Sequence, residues 1–437
     1  MALKMQVDEH KRRSTEMKAA SRAFPWIVFV LISGLMMSDY MSRQVLSAVF
    51  PLLKLEWGLS DSQLASLTSV VALIVGVLAL PLSLLADRWG RVRSVVLMAV
   101  VWSVATLLSA AATSYGQMFG ARLLLGFGEA AYASVGMAVM LSMFAPRLHA
   151  SLSGAFMAST YFGSVIGVAL GGIVADRFGW RSAFVFMAVV GLVLALILRI
   201  VVTEGRIDKN RADDPDVAVT TSSDTARAPL SSLFNNLSLM CVYIGGGLQL
   251  FVSGVLLVWL PSFFNRYYDM EASAAGLASS GFVLLIGAGM VLCGIGADRI
   301  SRDNPARRWL AAVTYPAISL ATLFIGFGLD TGPVQLVLIG IGAFFCSGAA
   351  GAVTAITASL THPSIRASAF GVGTLSNNIF GLALGPLVVG FVSDRLGLLG
   401  ALQWIPFAYV IAIVILLIGR RHYAGGLSKL AEVSLKP

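Results

Sequence analysis

Twelve apolar blocks, each close to the length that crosses a bilayer, constrain this chain more than any other feature. They cover about 24–50, 64–86, 94–112, 118–144, 151–175, 181–201, 238–260, 274–297, 308–328, 333–360, 367–393 and 399–419. A helix of about 20 apolar residues spans the hydrocarbon layer, and in lipid a lone segment satisfies its backbone only as a helix. The spacing therefore predicts an all-α membrane protein, with the blocks numbered spans 1–12. Composition agrees. Of 437 residues 57% are hydrophobic and 12% charged, against roughly 25% charged in a soluble domain. The basic segment before span 1, "EHKRRSTEMKAASR", has no short apolar core with a small-residue cleavage site, so it reads as a tail rather than a signal peptide. Cys241, Cys293 and Cys346 lie inside apolar blocks at no metal or redox spacing and read as packing residues.

The cations set the orientation. About 24 of the 31 lysines and arginines fall on the side that holds both termini, and about 5 on the other. The positive-inside rule makes that first side cytoplasmic. The net charge of +9 is then a topology signal and gives no support to nucleic-acid binding. A polar stretch, "TEGRIDKNRADDPDVAVTTSSDTARAP", divides the chain. The predicted layout is an amino-terminal tail over 1–23, a six-helix bundle over 24–201, a cytoplasmic linker over 202–237, a second bundle over 238–419 and a tail over 420–437.

An internal repeat supports two equivalent halves. "APRLHASLSG" at 145–154 aligns with "HPSIRASAFG" at 362–371. The pattern Gly163-x3-Gly167-x4-Gly172-x3-Asp176-Arg177-x-Gly179 then recurs as Gly381-x3-Gly385-x4-Gly390-x3-Asp394-Arg395-x-Gly397. Small residues at such positions let helices approach closely where lipid supplies no hydrophobic drive between them.

Two further Asp-Arg pairs sit at cytoplasmic span ends, in "SLLADRWGRVRS" and "GIGADRISRDNPARR". They resemble the loop signature of the major facilitator superfamily, Gly-x3-Asp-Arg-x-Gly-Arg-x-Arg. Asp87, Arg88, Gly90, Arg91 and Arg93 match it; Ser83 replaces the first glycine, which Gly294 restores in the second half. The resemblance covers the whole chain and implies twelve helices in two pseudo-symmetric six-helix bundles. It also implies that Asp87, Arg88, Arg91, Asp298 and Arg299 latch the cytoplasmic side while the cavity faces outward. Simple anchoring of helix ends at the headgroups is the plainer alternative.

Charges inside spans mark the candidate site. "RLLLGFGEAAY" places Arg122 and Glu129 seven residues apart in span 4, within about 20° on one helix face. Span 1 adds Asp39 and Arg43, one turn apart. An ionised group at this depth costs about 2.5–3.5 kcal/mol or more unless it faces protein or water. A fixed ion pair joining helices is one reading. The other is a wet cavity, in which a carboxylate is pushed up by desolvation and down by a nearby arginine, and so can carry a proton. Glu129, with Asp39 assisting, is the expected proton carrier. Arg43 and Arg122 are expected either to grip an anion, since guanidinium holds carboxylate in a forked geometry, or to reset Glu129. Tyr40, Tyr132 and Tyr161 are further candidates.

Span 4 is similar to the Spinster-like branch of that superfamily, Arg-x3-Gly-x-Gly-Glu-Ala-x-Tyr, which Arg122, Gly126, Gly128, Glu129, Ala130 and Tyr132 match. "DYMSRQVL" resembles the branch's Tyr-Met-Asp-Arg and the Asp-Arg of anion:cation symporters, with Ser42 in place of the acid before Arg43. Span 5 resembles the antiporter signature of drug exporters, with Val168 where that signature has proline. On the second half, Tyr243, Gln249, Trp259, Ser347, Thr354, Asn377 and Asn378 are cavity candidates or plain interhelical hydrogen-bonders, and none is charged.

An enzyme is not expected. His10, His149, His362 and His422 are scattered, and no Gly-x4-Gly-Lys-Ser/Thr loop for ATP occurs. The reading is a secondary active carrier, proton-coupled and specific for a small organic anion, working by alternating access. Its expected setting is the cell inner membrane, as a functional monomer without cofactor or metal. A carrier of lysolipid or another amphiphile, and a proton-antiport drug exporter, are the alternatives.

Overall fold

The computed structural model describes residues 2–209, 230–302 and 304–434, and contains no strand among them. The spans run Ala23–Trp57, Asp61–Ala86, Arg91–Ala111, Tyr115–Leu141, Ser151–Phe178, Trp180–Val201, Leu237–Tyr267, Ala272–Ile300, Arg308–Gly328 and Pro333–Ser359, followed by Ser368–Arg421. The last stretch is two spans in one, because Gly397 at φ 75° breaks the helix between spans 11 and 12. Twelve crossings return the chain to its starting side, called here the terminal face; the other is the distal face.

The Asp-Arg-x-Gly repeats now have a local meaning. Gly90, Gly179 and Gly397 all have positive φ (98°, 82° and 75°). Each is a single-residue corner between consecutive spans, a conformation that glycine adopts without the Cβ penalty. The repeated glycines ahead of them are contact points. A side chain at Gly163 or Gly167 would run into the Met37 or Met41 backbone of span 1. Gly381 and Gly385 meet Leu250 and Phe251 of span 7 in the same way. Span 5 thus lies on span 1 as span 11 lies on span 7.

The segments outside the two bundles also contain helix. The backbone of the amino-terminal tail continues span 1 as one helix, Ala2–Trp57. The 202–237 linker contains a helix, Glu204–Lys209, whose Glu204 accepts from the Val92 amide (2.9 Å) and so caps span 3; its residues 210–229 lie outside the described residues. The carboxyl-terminal tail forms a helix, Tyr423–Ser434, docked on the second half through Asn236 Nδ2 to Gly426 O (3.3 Å) and Tyr423 against Trp309. Local pattern could not reveal these contacts, because their partners lie far along the chain.

Apolar packing shows how the halves meet. Toward the distal face one continuous cluster includes both halves, with Phe50 of span 1 against Trp259 of span 7 (5.6 Å between centroids). Toward the terminal face there are two separate clusters, one per half. The halves are joined distally and part toward the termini.

Candidate functional site

The motif that carries Glu129 is shaped by its glycines. Gly126 lies against Val71 and Ile74 of span 2, and Gly128 against the Trp102 backbone of span 3. With those faces occupied, Arg122, Leu125 and Glu129 turn toward span 1. The helix stops at Glu129 and restarts at Tyr132, with Ala130 and Ala131 between. Glu129 therefore sits at a break in span 4, where the shared distal cluster gives way to the divided terminal ones.

The structure gathers Asp39, Arg43 and Glu129. Arg43 Nη1 lies 3.5 Å from Glu129 Oε1, with the arginine side chain 15% exposed and the glutamate 3%. Asp39 is one turn back, 3% exposed, within electrostatic reach of both. Among the described residues, neither Glu129 carboxylate oxygen nor Asp39 Oδ1 accepts a hydrogen bond. Buried polar atoms normally have a hydrogen-bond partner, which sets these acids apart from the ordinary interior polar groups of the fold. Tyr40 is half-buried beside them, its ring 5.9 Å from the Arg43 guanidinium.

Arg122 departs from expectation. It is 1% exposed, stacks on Phe184 of span 6 (5.1 Å) and donates from Nη1 to the Ser42 carbonyl (3.3 Å). It holds spans 1, 4 and 6 together and offers no surface to a substrate in this conformation. The seven-residue spacing explains why it does not pair directly with Glu129: equal angle on the helix still leaves roughly 10 Å of rise between them. Tyr132 is corrected likewise. Its hydroxyl donates to Ile32 O (2.8 Å) and its ring packs edge-on against Trp102 (4.8 Å), inside the first half.

On the second half the candidates separate. Gln249 is spent on Ala312 O of span 9 (2.8 Å), and Trp259 donates to Pro386 O (3.2 Å) within the distal cluster. Both are interhelical ties. Thr354 is exposed, and its hydroxyl bonds back to Ala350 O. Asn377 and Asn378 open a π-helical segment of span 11, Asn377–Ala383, that wedges between spans 7 and 2. Asn378 donates to Thr374 O and its Cβ abuts Gly76, whereas Asn377 is half-buried. Tyr161 crosses the seam between halves: its hydroxyl donates to Met290 Sδ of span 8 (3.1 Å), close to Tyr40 and Ser347. Tyr243 is buried, and its hydroxyl has no partner among the described residues.

A second ionic centre lies on the distal face. Asp61, 2% exposed, accepts two hydrogen bonds from Arg266 of span 7 (both 2.7 Å), and others from Lys54 and Ser393. Its own amide donates to Asp394 Oδ1 (2.7 Å). The available signal was the repeated Gly-x3-Asp, read as helix packing alone. Of the residues expected to form a gate on the terminal face, Arg88, Arg91, Asp298 and Arg299 are exposed, and the Asp87 side chain lies outside the described residues.

Two helical halves joined at one face, with a buried acid pair beside the part-exposed Arg43 guanidinium in the first half, are an architecture that the comparisons with known proteins assign to membrane carriers. The chain belongs to the Major Facilitator Superfamily, whose family model matches residues 32–379 and 242–427. It is 25% identical to the probable L-galactonate transporter of Escherichia coli (strain K12), over 82% of this chain and 80% of that protein. It is 25% identical to protein spinster homolog 1 of Xenopus laevis, over 85% of this chain and 73% of the relative. The crystal structure of a bacterial homolog to the human lysosomal transporter Spinster, in an inward-facing and unoccupied conformation, superposes with a TM-score of 0.76 at 18% identity, covering 95% of this chain and 99% of that one.

Proposed function

We propose that this protein is a proton-coupled symporter of a small organic anion, of the sugar-acid class, in the cell inner membrane with both termini cytoplasmic. The positive-inside rule supports a cytoplasmic terminal face, and on that reading the parting of the apolar clusters toward the terminal face corresponds to an inward-open conformation. The reading rests above all on one contact, the part-exposed Arg43 at 3.5 Å from the buried Glu129. Arg43 has two claimants, Glu129 and the carboxylate of an arriving anion. When the guanidinium turns to the anion, Glu129 loses its counter-charge in a low-dielectric site and takes a proton. Proton and anion then move together through the rocking of one half against the other. Asp39 extends the acid pair and compensates for Ser42, which stands where related symporters carry the acid. Tyr40, Tyr161 and Asn377 line the route. The names of relatives such as the L-galactonate carrier support the anion class.

An amphiphile carrier is the second reading. It is favoured by an apolar groove of about 450 Å³ between spans 8 and 10, lined by Phe282, Leu285, Val337, Ile341 and Phe344. Proteoliposomes under an imposed pH gradient decide between them when offered sugar acids, lysolipids and cationic dyes. Gradient-driven uptake of sugar acids is expected. Transport of cations alone would exclude the Arg43 grip.

A further inference from the structure

The terminal-face ends of spans 9 and 12 are fitted together around one tryptophan. Trp309, fully buried at the start of span 9, fills the space that a side chain at Gly419 of span 12 would need. Its ring also packs against Tyr423 (5.8 Å), the first residue of the carboxyl-terminal helix Tyr423–Ser434. That helix is pinned at two further points. Asn236, the cap of span 7, donates from Nδ2 to Gly426 O (3.3 Å), and a side chain at Gly426 would strike Asn236. The Tyr423 hydroxyl meets Ser359 Oγ at the end of span 10 (3.3 Å).

This packing brings two pairs of arginines to one seam. Arg307 and Arg308 immediately precede Trp309, and Arg420 and Arg421 immediately follow Gly419. Arg307, Arg420 and Arg421 are exposed, and Arg308 is half-buried. Among the described residues none of the four forms a salt bridge. On the distal face, by contrast, Lys54 and Arg266 are paired with Asp61, and Arg181 with Glu56. Arg308 Nε and the Trp309 indole N–H are buried and have no acceptor among the described residues, although buried donors normally have one. Within a turn of the arginines, toward the middle of the spans, Leu310 of span 9 and Leu417 and Ile418 of span 12 are exposed. Unpaired cations at the ends of two spans, with open apolar surface beside them, suit a phosphate that carries acyl chains.

We propose that this seam is a binding site for an anionic phospholipid. Arg307, Arg308, Arg420 and Arg421 hold its phosphodiester, since guanidinium grips phosphate oxygens in a forked geometry, and its chains lie on Leu310, Leu417 and Ile418. The lipid ties span 9 to span 12 at the root of the carboxyl-terminal helix. Free phosphate offers the same charged group, but the place of the arginines at span ends and the apolar surface next to them favour a lipid. The site is separate from Asp39, Arg43 and Glu129, and it stands or falls independently of the anion and proton reading.

Native mass spectrometry of the purified full-length protein in detergent is the test, with phosphatidylglycerol and phosphatidylcholine of identical chains offered at equal concentration. The wild-type protein should retain phosphatidylglycerol over phosphatidylcholine by about tenfold or more. Arg307→Gln and Arg420→Gln, both at exposed positions, should each lower phosphatidylglycerol retention roughly fivefold, the effect of one cation beside a charged lipid. The double variant should approach the product of the two. Arg199→Gln removes an exposed cation from the terminal end of span 6, in the first half, and should leave retention as it was. Inorganic phosphate in excess should leave the lipid bound. Equal retention of the two lipids by the wild-type protein overturns the proposal, and so does a loss in Arg199→Gln equal to that in Arg420→Gln. Displacement of the lipid by inorganic phosphate also overturns it, and assigns the seam to a free ion.

Discussion

The two halves share one architecture and differ in what they bury. Span 5 packs on span 1 as span 11 packs on span 7, through glycines in the same register. Inside, the resemblance stops. The first half encloses Asp39, Arg122 and Glu129, and leaves polar atoms of these three and of Ser38, Ser42, Ser69, Trp102 and Ser103 without partners among the described residues. The second half buries no acid at this depth. Several of its polar groups are tied to backbone carbonyls, as in Gln249 to Ala312, Ser319 to Gly342 and Tyr409 to Cys346, while polar atoms of Tyr243, Ser262 and Trp309 are, like those of the first half, without partners among the described residues. A duplicated scaffold has thus kept its packing and has its membrane-buried charges in one half.

Breaking the charged side should have the largest effect. Glu129→Gln should reduce gradient-driven anion uptake on the order of 100-fold while sparing exchange of anion between the two sides; equal loss of both would make Glu129 structural. Next comes Arg43→Ala, which should raise the KM of the anion about tenfold, the value of one charge-assisted contact. Arg43→Lys should recover only part of this, because an ammonium lacks the fork.

Arg122→Met sharpens the comparison within the first half. Since Arg122 is sealed against Phe184 and the Ser42 carbonyl, its loss should lower stability by about 1–3 kcal/mol, seen as a lower Tm, with KM unchanged. A KM shift like that of Arg43→Ala would return Arg122 to the substrate. The smallest effect is expected on the uncharged side: Gln249→Leu removes one interhelical bond, worth about 0.6 kcal/mol in a membrane bundle, and should leave transport as it was.

Much of this was legible beforehand. The span count, the equivalence of spans 5 and 11, and the choice of Asp39, Arg43 and Glu129 as charges buried in the spans all follow from periodicity and the cost of charge in lipid. Arg122 was misplaced because helical angle says which residues share a face but not which neighbour fills it; Gly126 and Gly128 decided that by drawing spans 2 and 3 close. The break after Glu129 and the π-helical turn at Asn377 left no local pattern. The Asp61 centre was hidden for a different reason. Its partners Arg266, Ser393 and Asp394 come from the other half, and only the fold brings them together.

The most direct test of the central account is proton uptake on anion binding, read with a pH dye in weakly buffered detergent solution. The wild-type protein should take up protons when a transported sugar acid is added, and Glu129→Gln should bind the acid without doing so. Uptake of the same size in both proteins would place the coupling group elsewhere and contradict the account.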